Sequence, residues 1–169
     1  RYWNRRGHNK KPRMAKVSKK NKMIKKRLTK LKELINLYDL EGYIVPKNDA
    51  YFSEYSFPNR LKTISNFSGS AGFAIILNNE NYLFVDGRYT LQAKIESGKY
   101  FKIIEIPKLW PKDIFKKYKK KLLIGFDPQL FTNSILTNHF GSICNLFPIK
   151  KNLIDHIYKE KNKSSVNYY

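Results

Sequence analysis

A mixed α/β domain, with a central β-sheet flanked by helices, is the fold class this sequence predicts. Short apolar runs of strand length alternate with stretches of helical period, the pattern of strands joined by helical crossovers. One pair of those runs is separated only by the polar stretch Asn78 to Asn81, short enough for a hairpin, so an antiparallel step enters the alternation and the sheet must be mixed. A chain of 169 residues has the size of one ordinary domain and can bury a real core.

The elements follow in order. Ile24, Leu28, Leu31, Ile35 and Tyr38 fall at steps of four and three and draw one stripe on a helix, leaving Lys25, Lys26, Lys30, Lys32 and Glu33 to water. Glu41-Gly42 is expected to close that helix, and Gly42 to Pro46 reads as a buried strand ended by proline. Gly72 to Leu77 and Tyr82 to Asp86 form the hairpin strands. A helix from Tyr89 to Ser97, ended by Gly98, leads to a strand from Phe101 to Ile106, and a helix is expected over Lys112 to Lys119. Leu122 to Phe126 is the next strand, Asn133 to Phe140 the next helix, Leu146 to Pro148 a short strand and Leu153 to Tyr158 a terminal helix. There is no internal repeat.

The net charge of +21 raises the question of a nucleic-acid or anionic-surface partner. Ten of the 34 basic residues lie in Arg1 to Lys22, a stretch without acids, so about half of the excess belongs to the amino-terminal end. With almost no apolar residues, that end is expected to be a disordered basic tail, residues 1–22, ahead of a folded domain at 23–158 and a polar tail at 159–169. Met23 or Met14 is then a candidate natural start, and the Lys-, Asn-, Ile- and Tyr-rich composition fits an AT-rich coding bias. A basic arm that binds nucleic acid is the alternative for this tail, without a specific nucleic-acid site being expected. The single cysteine, Cys144, excludes a disulfide framework within the monomer and suits a reducing cytoplasm. No apolar run is long enough for a membrane helix, so no membrane association is expected.

Three motifs lie close together: Asn48-Asp49-Ala50-Tyr51-Phe52-Ser53-Glu54-Tyr55, Ile64-Ser65-Asn66-Phe67-Ser68-Gly69-Ser70-Ala71-Gly72, and Val85-Asp86-Gly87-Arg88-Tyr89-Thr90-Leu91-Gln92-Ala93. Asp86 closes a strand and can cap the helix that follows, Gly87 permits the tight turn, and Arg88 is left with a planar fork of donors that suits a carboxylate. That carboxylate is either a ligand's or an internal one such as Asp49 or Glu54. The second motif fits neither a nucleophile elbow, since Ser68 stands where a glycine is required, nor a phosphate-binding loop, which ends in Gly-Lys-Ser/Thr. Its small residues are expected to let the loop pass close to the Asp86 turn and enter the strand at Gly72. Asn48, Asp49, Ser53 and Glu54 would form the polar side of the loop cluster, with Arg60 pairing one carboxylate.

No catalytic or metal site is expected. Asp86, Asp127, His139, Asp155, His156 and Glu160 are the possible ligands, but they are not patterned to converge as a two-metal site requires. Asp127 precedes Pro128 and reads as a turn residue. Cys144 has only His139 nearby in sequence as a base and reads as a small buried hydrophobe.

The ordered triplet of motifs, continued through Ile124-Gly125-Phe126-Asp127-Pro128 and Asn152-Leu153-Ile154-Asp155-His156-Ile157-Tyr158, resembles the amino-terminal, creatinase-like domain of Xaa-Pro aminopeptidases, the aminopeptidase P family. The resemblance covers about residues 28 to 158, and Tyr158 stands where that family commonly has tryptophan. It implies a mixed α/β fold and assigns Arg88 a substrate-contacting role. In the family, removal of the residue preceding proline is performed by two divalent metals, often manganese, in a separate carboxyl-terminal domain, so the resemblance implies no cofactor in this chain. It implies a truncated or split amino-terminal domain, inactive alone, whose partner is a separately encoded catalytic domain or a peptide. A peptide-binding or dimerisation module is the alternative, and oligomeric state is left open.

Overall fold

The computed structural model describes residues 11–47 and 59–157. The elements run α1 (Lys11–Leu37), β1 (Gly42–Pro46), α2 (Arg60–Ser65), β2 (Phe73–Leu77), β3 (Asn81–Asp86), α3 (Thr90–Ser97), β4 (Lys102–Ile106), α4 (Pro111–Phe115), β5 (Leu123–Phe126), α5 (Asn133–Phe140) and β6 (Asn145–Pro148). Residues 153–157 add a last helical turn.

The six strands form one sheet in the order β4-β3-β2-β1-β5-β6. β1 and β3 pair antiparallel with β2, whereas β4 lies parallel to β3, and β5 and β6 continue in parallel beyond β1. The central strands are buried on both faces, which is why they read as continuous apolar runs. Their period of two divides the core in half. Tyr43, Val45, Ala74, Ile76, Leu83 and Val85 face the side covered by α1, α2 and α3. Ile44, Phe73, Ile75, Leu77, Tyr82 and Phe84 face the side covered by α4 and α5.

The helix α1 corrects two expectations. It begins at Lys11, not near Ile24, so residues 11–22 belong to a helix and not to a disordered tail. No glycine or proline interrupts the chain from Arg13 to Leu40, and its Lys, Arg, Met, Ala and Leu residues favour the helix, so propensity carries it beyond the last buried position. Two residues past its end at Leu37, Asp39 takes a left-handed conformation (φ 55°) while the Leu40 amide donates to the Ile35 carbonyl at 3.0 Å. Glu41 and Gly42 therefore have other work. The Glu41 carboxylate accepts from the Leu123 amide at 2.8 Å and pairs with Lys120, tying the mouth of β1 to β5. A Cβ at Gly42 would meet the Ile76 carbonyl oxygen at 2.9 Å.

α2 went unforeseen. Asn59 caps it by accepting from the Lys62 amide at 3.0 Å, and Leu61 and Ile64 bury its inner face. α4 is shorter than expected, ending at Phe115 ahead of a lysine-rich stretch that has no apolar stripe to hold it on the sheet.

From Met14 to Lys20 every side chain of α1 is exposed, and among the described side chains the first buried one is Ile24. Replacing Lys16, Lys19 and Lys20 together by alanine is therefore expected to change the unfolding free energy by no more than about 0.5 kcal/mol in a urea melt, the range of surface changes.

Candidate functional site at the Asp86 turn

β3 delivers Asp86 to the edge of the core, where its carboxylate accepts from the Arg88 amide at 2.9 Å and from Arg88 Nε at 3.1 Å. The backbone contact, reinforced by the guanidinium, holds the Asp86 carboxyl below its ordinary range. The expected cap is thus present, as the start of a 3₁₀ turn over Gly87–Tyr89 that feeds α3. A Cβ at Gly87 would come within 2.9 Å of Glu105 Oε1, the far end of a side chain that can turn aside, so closeness alone does not require glycine there. Arg88 lies on the surface, its side chain 74% exposed, with its guanidinium carbon 5.4 Å from the centre of the Tyr89 ring.

The second motif packs against this turn, as its small residues predict. Ser70 Oγ bonds the Tyr89 hydroxyl, the Lys47 ammonium donates to the Ser70 carbonyl at 3.0 Å, and Phe67 meets Tyr89 edge to face at 6.1 Å. Gly72 has φ 152°, and a Cβ there would stand 2.9 Å from the Phe84 carbonyl, so glycine is what lets the loop join β2 beside β3. Further along α3, Ser68 Oγ donates to the Glu96 carboxylate at 2.8 Å and accepts from Gln92 Nε2 at 2.9 Å. Loop, turn and helix form one polar ledge carrying Lys47, Ser68, Arg88, Gln92 and Glu96. Sequence reading singled out Arg88 and missed the participation of Lys47, Tyr89, Gln92 and Glu96. The helical spacing of 88, 92 and 96 was the available signal.

The first motif, including Asp49 and Glu54, lies outside the described residues. Arg60 pairs instead with Asp155, through Nε at 2.9 Å and a second guanidinium nitrogen at 3.0 Å. This corrects its expected partnership with a carboxylate of the first motif.

Among the described residues, no group of three His, Cys, Asp or Glu side chains is placed to hold a metal ion. Asp127 is 3% exposed and accepts from the Gln129 amide and from Asn152 Nδ2, both at 3.0 Å, so it combines the expected turn role with a structural one. Asp155 holds Arg60, and Asp86 holds Arg88. Glu160 lies outside the described residues. Burial pushes the Cys144 thiol up to about 11, so it is a protonated, buried side chain at neutral pH.

His139 has a different setting from a ligand or a base. Its ring stacks on Phe73 and on Trp110, each with centroids 5.0 Å apart, and its shielded Nδ1 has no partner among the described residues. Burial lowers its pKa below 6.5. An unfolded chain then binds a proton that the folded one refuses, so this contribution is intact above pH 6.5 and is lost as pH falls from there toward the folded pKa. Urea midpoints between pH 7.5 and 5.5 are expected to decline for the wild type and to stay nearly flat for His139→Phe, a window above the titration of ordinary carboxylates at about 4.

Residues 27–156 match the creatinase/prolidase N-terminal domain family. The chain belongs to this family. Over 148 residues it is 34% identical to a probable Xaa-Pro aminopeptidase P from Laccaria bicolor, covering 82% of this chain and 23% of that protein. It is 32% identical over 152 residues to Xaa-Pro aminopeptidase ApepP of Drosophila melanogaster, covering 79% and 24%. Among solved structures, an X-prolyl aminopeptidase from Caenorhabditis elegans, described as a cytosolic enzyme with a di-nuclear active site, superposes with a TM-score of 0.71 at 27% identity, over 81% of this chain and 26% of that one. The chain thus spans about a quarter of the length of these three relatives. Among the described residues of this creatinase-like domain, no helix is long and apolar enough to cross a membrane.

Proposed function

We propose that this creatinase-like domain serves an Xaa-Pro aminopeptidase as its non-catalytic amino-terminal part, with Arg88 contacting the peptide substrate or the face of a metal-bearing catalytic domain. The observation that carries the reading is the Asp86 turn. A guanidinium aligned through Nε by one carboxylate and laid along a tyrosine ring stands on the surface with its direction set in advance. The two divalent metals belong to a catalytic domain, and the domain described here releases no amino-terminal residue by itself. A reducing cytoplasm suits the buried free thiol of Cys144.

Arg88→Lys and Arg88→Ala test this. Calorimetric titration with an Xaa-Pro tripeptide bearing a free carboxylate is expected to show binding that weakens about tenfold in Arg88→Lys, which keeps the charge but loses the fork. Urea melts should change by no more than about 0.5 kcal/mol. A loss of several kcal/mol in both variants would make Arg88 a structural residue and overturn the assignment. Release of the first residue of such a peptide by this chain with Mn²⁺, abolished by a chelator, would overturn the non-catalytic role.

A further inference from the structure

The apolar stripe of α1 does not stop where the sheet stops. Counting back from Ile35 through Leu31, Leu28 and Ile24, the three-and-four spacing continues to Asn21, Val17 and Met14. The downstream half is buried, from Ile24 at 5% to Ile35 at 0%, whereas Val17 is 57% and Met14 81% exposed. Beside this uncovered half stands the turn after α3. Tyr100 is fixed there by its own amide, which donates to the Ser97 carbonyl at 3.1 Å, and by its carbonyl, which accepts from Asn81 Nδ2 at 2.9 Å. Helix and turn border an open groove of about 630 Å³ lined by Met14, Val17 and Tyr100 together with Lys22, Lys25 and Lys99. Among the described residues, no carboxylate lines it. It lies largely upstream of residue 27, where the family match begins.

We infer that this groove docks an acidic, amphipathic peptide segment of a partner protein, with apolar side chains over Met14, Val17 and Tyr100 and carboxylates toward Lys22, Lys25 and Lys99. Charge complementarity selects this occupant. Three ammonium groups without a carboxylate among them favour an anionic ligand, and a second copy of a chain with net charge +21 is repelled. The apolar lining of Met14, Val17 and Tyr100 selects among anions. A lipid surface is planar and rewards a large continuous apolar face, and a phosphate backbone gains nothing from exposed Met and Val. A segment with an apolar stripe and flanking acids uses both features, in the manner of a helix laid into a groove. Because the Tyr100 wall is held by backbone contacts, little ordering is left for the ligand to supply.

The probe is a labelled synthetic helical peptide with leucines at three-and-four spacing and glutamates elsewhere, followed by fluorescence anisotropy on the full chain at about 0.15 M salt, where long-range attraction is screened. Saturable binding is expected. It should weaken at least about tenfold for Met14→Asp with Val17→Asp, for Lys22→Glu with Lys99→Glu, and for a peptide of the same composition whose leucines no longer share a face. The exposed positions of these side chains keep the urea midpoint at the wild-type value, so lost binding reads the groove and not the fold. No binding, or equal binding by the Met14→Asp/Val17→Asp variant, overturns the inference. Tighter capture of a poly-uridine oligonucleotide or of phosphatidylserine vesicles than of the peptide also overturns it, by giving the basic face to phosphate. Arg88 lies outside the groove lining, so Arg88→Lys is expected to bind this peptide normally, and the two sites fail or succeed separately.

Discussion

Phe84→Ala is expected to remove about 3–5 kcal/mol of unfolding free energy, the range for truncating a fully buried aromatic. Phe84 is 0% exposed at the centre of β3 and lies flat against Phe73, with ring centres 4.8 Å apart and planes inclined by 9°. Phe73 stacks in turn on His139, and His139 on Trp110, so four rings form one ladder from the sheet to the entry of α4. Deleting the innermost ring leaves a void that the rigid strands on either side cannot close. Against a total stability of about 5–15 kcal/mol this is a large fraction, and the thermal midpoint should fall by roughly 10 °C. Phe84→Leu, which refills most of the volume, should recover more than half of the loss. A loss under 1 kcal/mol for Phe84→Ala would mean that the ladder is not a packed core. Trp110 fluorescence provides a second reading, since it reports the outer end of the same ladder.

Asn152→Ala is the second large effect, expected at about 2–4 kcal/mol from a side chain that carries no charge. Asn152 is 7% exposed and works in two directions: Nδ2 donates to Asp127 at 3.0 Å, and Oδ1 accepts from the Ile154 amide at 3.0 Å as the cap of the last helical turn. Truncation leaves a nearly buried carboxylate short of a donor and a buried amide without its acceptor. The neighbouring Leu153 amide still donates to the Tyr43 hydroxyl at 3.3 Å, and Arg60 still grips Asp155, so the turn should loosen without leaving the sheet. Urea melts give the loss, and faster hydrogen exchange confined to residues 153–157 shows where it falls. In a double-mutant cycle, Asp127→Ala should recover part of the cost, because the carboxylate left unpaired is then absent. Strict additivity of the two single losses would sink the proposed coupling of Asn152 to Asp127.

The places where sequence and tertiary structure agree share one physical property. Gly42–Pro46, Phe73–Leu77, Asn81–Asp86 and Asn133–Phe140 were legible almost to the residue, because each is a continuous or periodic apolar segment between polar turns. The Asp86 cap and the close passage of Gly72 were legible because both follow from local backbone geometry. Where helix propensity and burial diverge, the reading failed. Residues 14–22 lack a buried face, so composition alone reads this end as a tail, yet they extend α1 because no glycine or proline interrupts them. The short α2 carries too few residues to display a period, and only its Asn59 cap marks it.

By itself, therefore, the sequence determined the alternation of strands and helices, the two-sided burial of the central strands, and the turn that presents Arg88. All of these depend on residues within a few positions of each other, where side-chain period, glycine and capping chemistry act. Only the tertiary structure decided that Arg60 holds Asp155, that Asn152 holds Asp127, that His139 is clasped between Phe73 and Trp110, and that Tyr100 walls a groove beside Met14 and Val17. These pairings join segments distant along the chain. Their partners are selected by how the sheet and its crossovers bring distant surfaces within contact distance, and no local pattern encodes that choice.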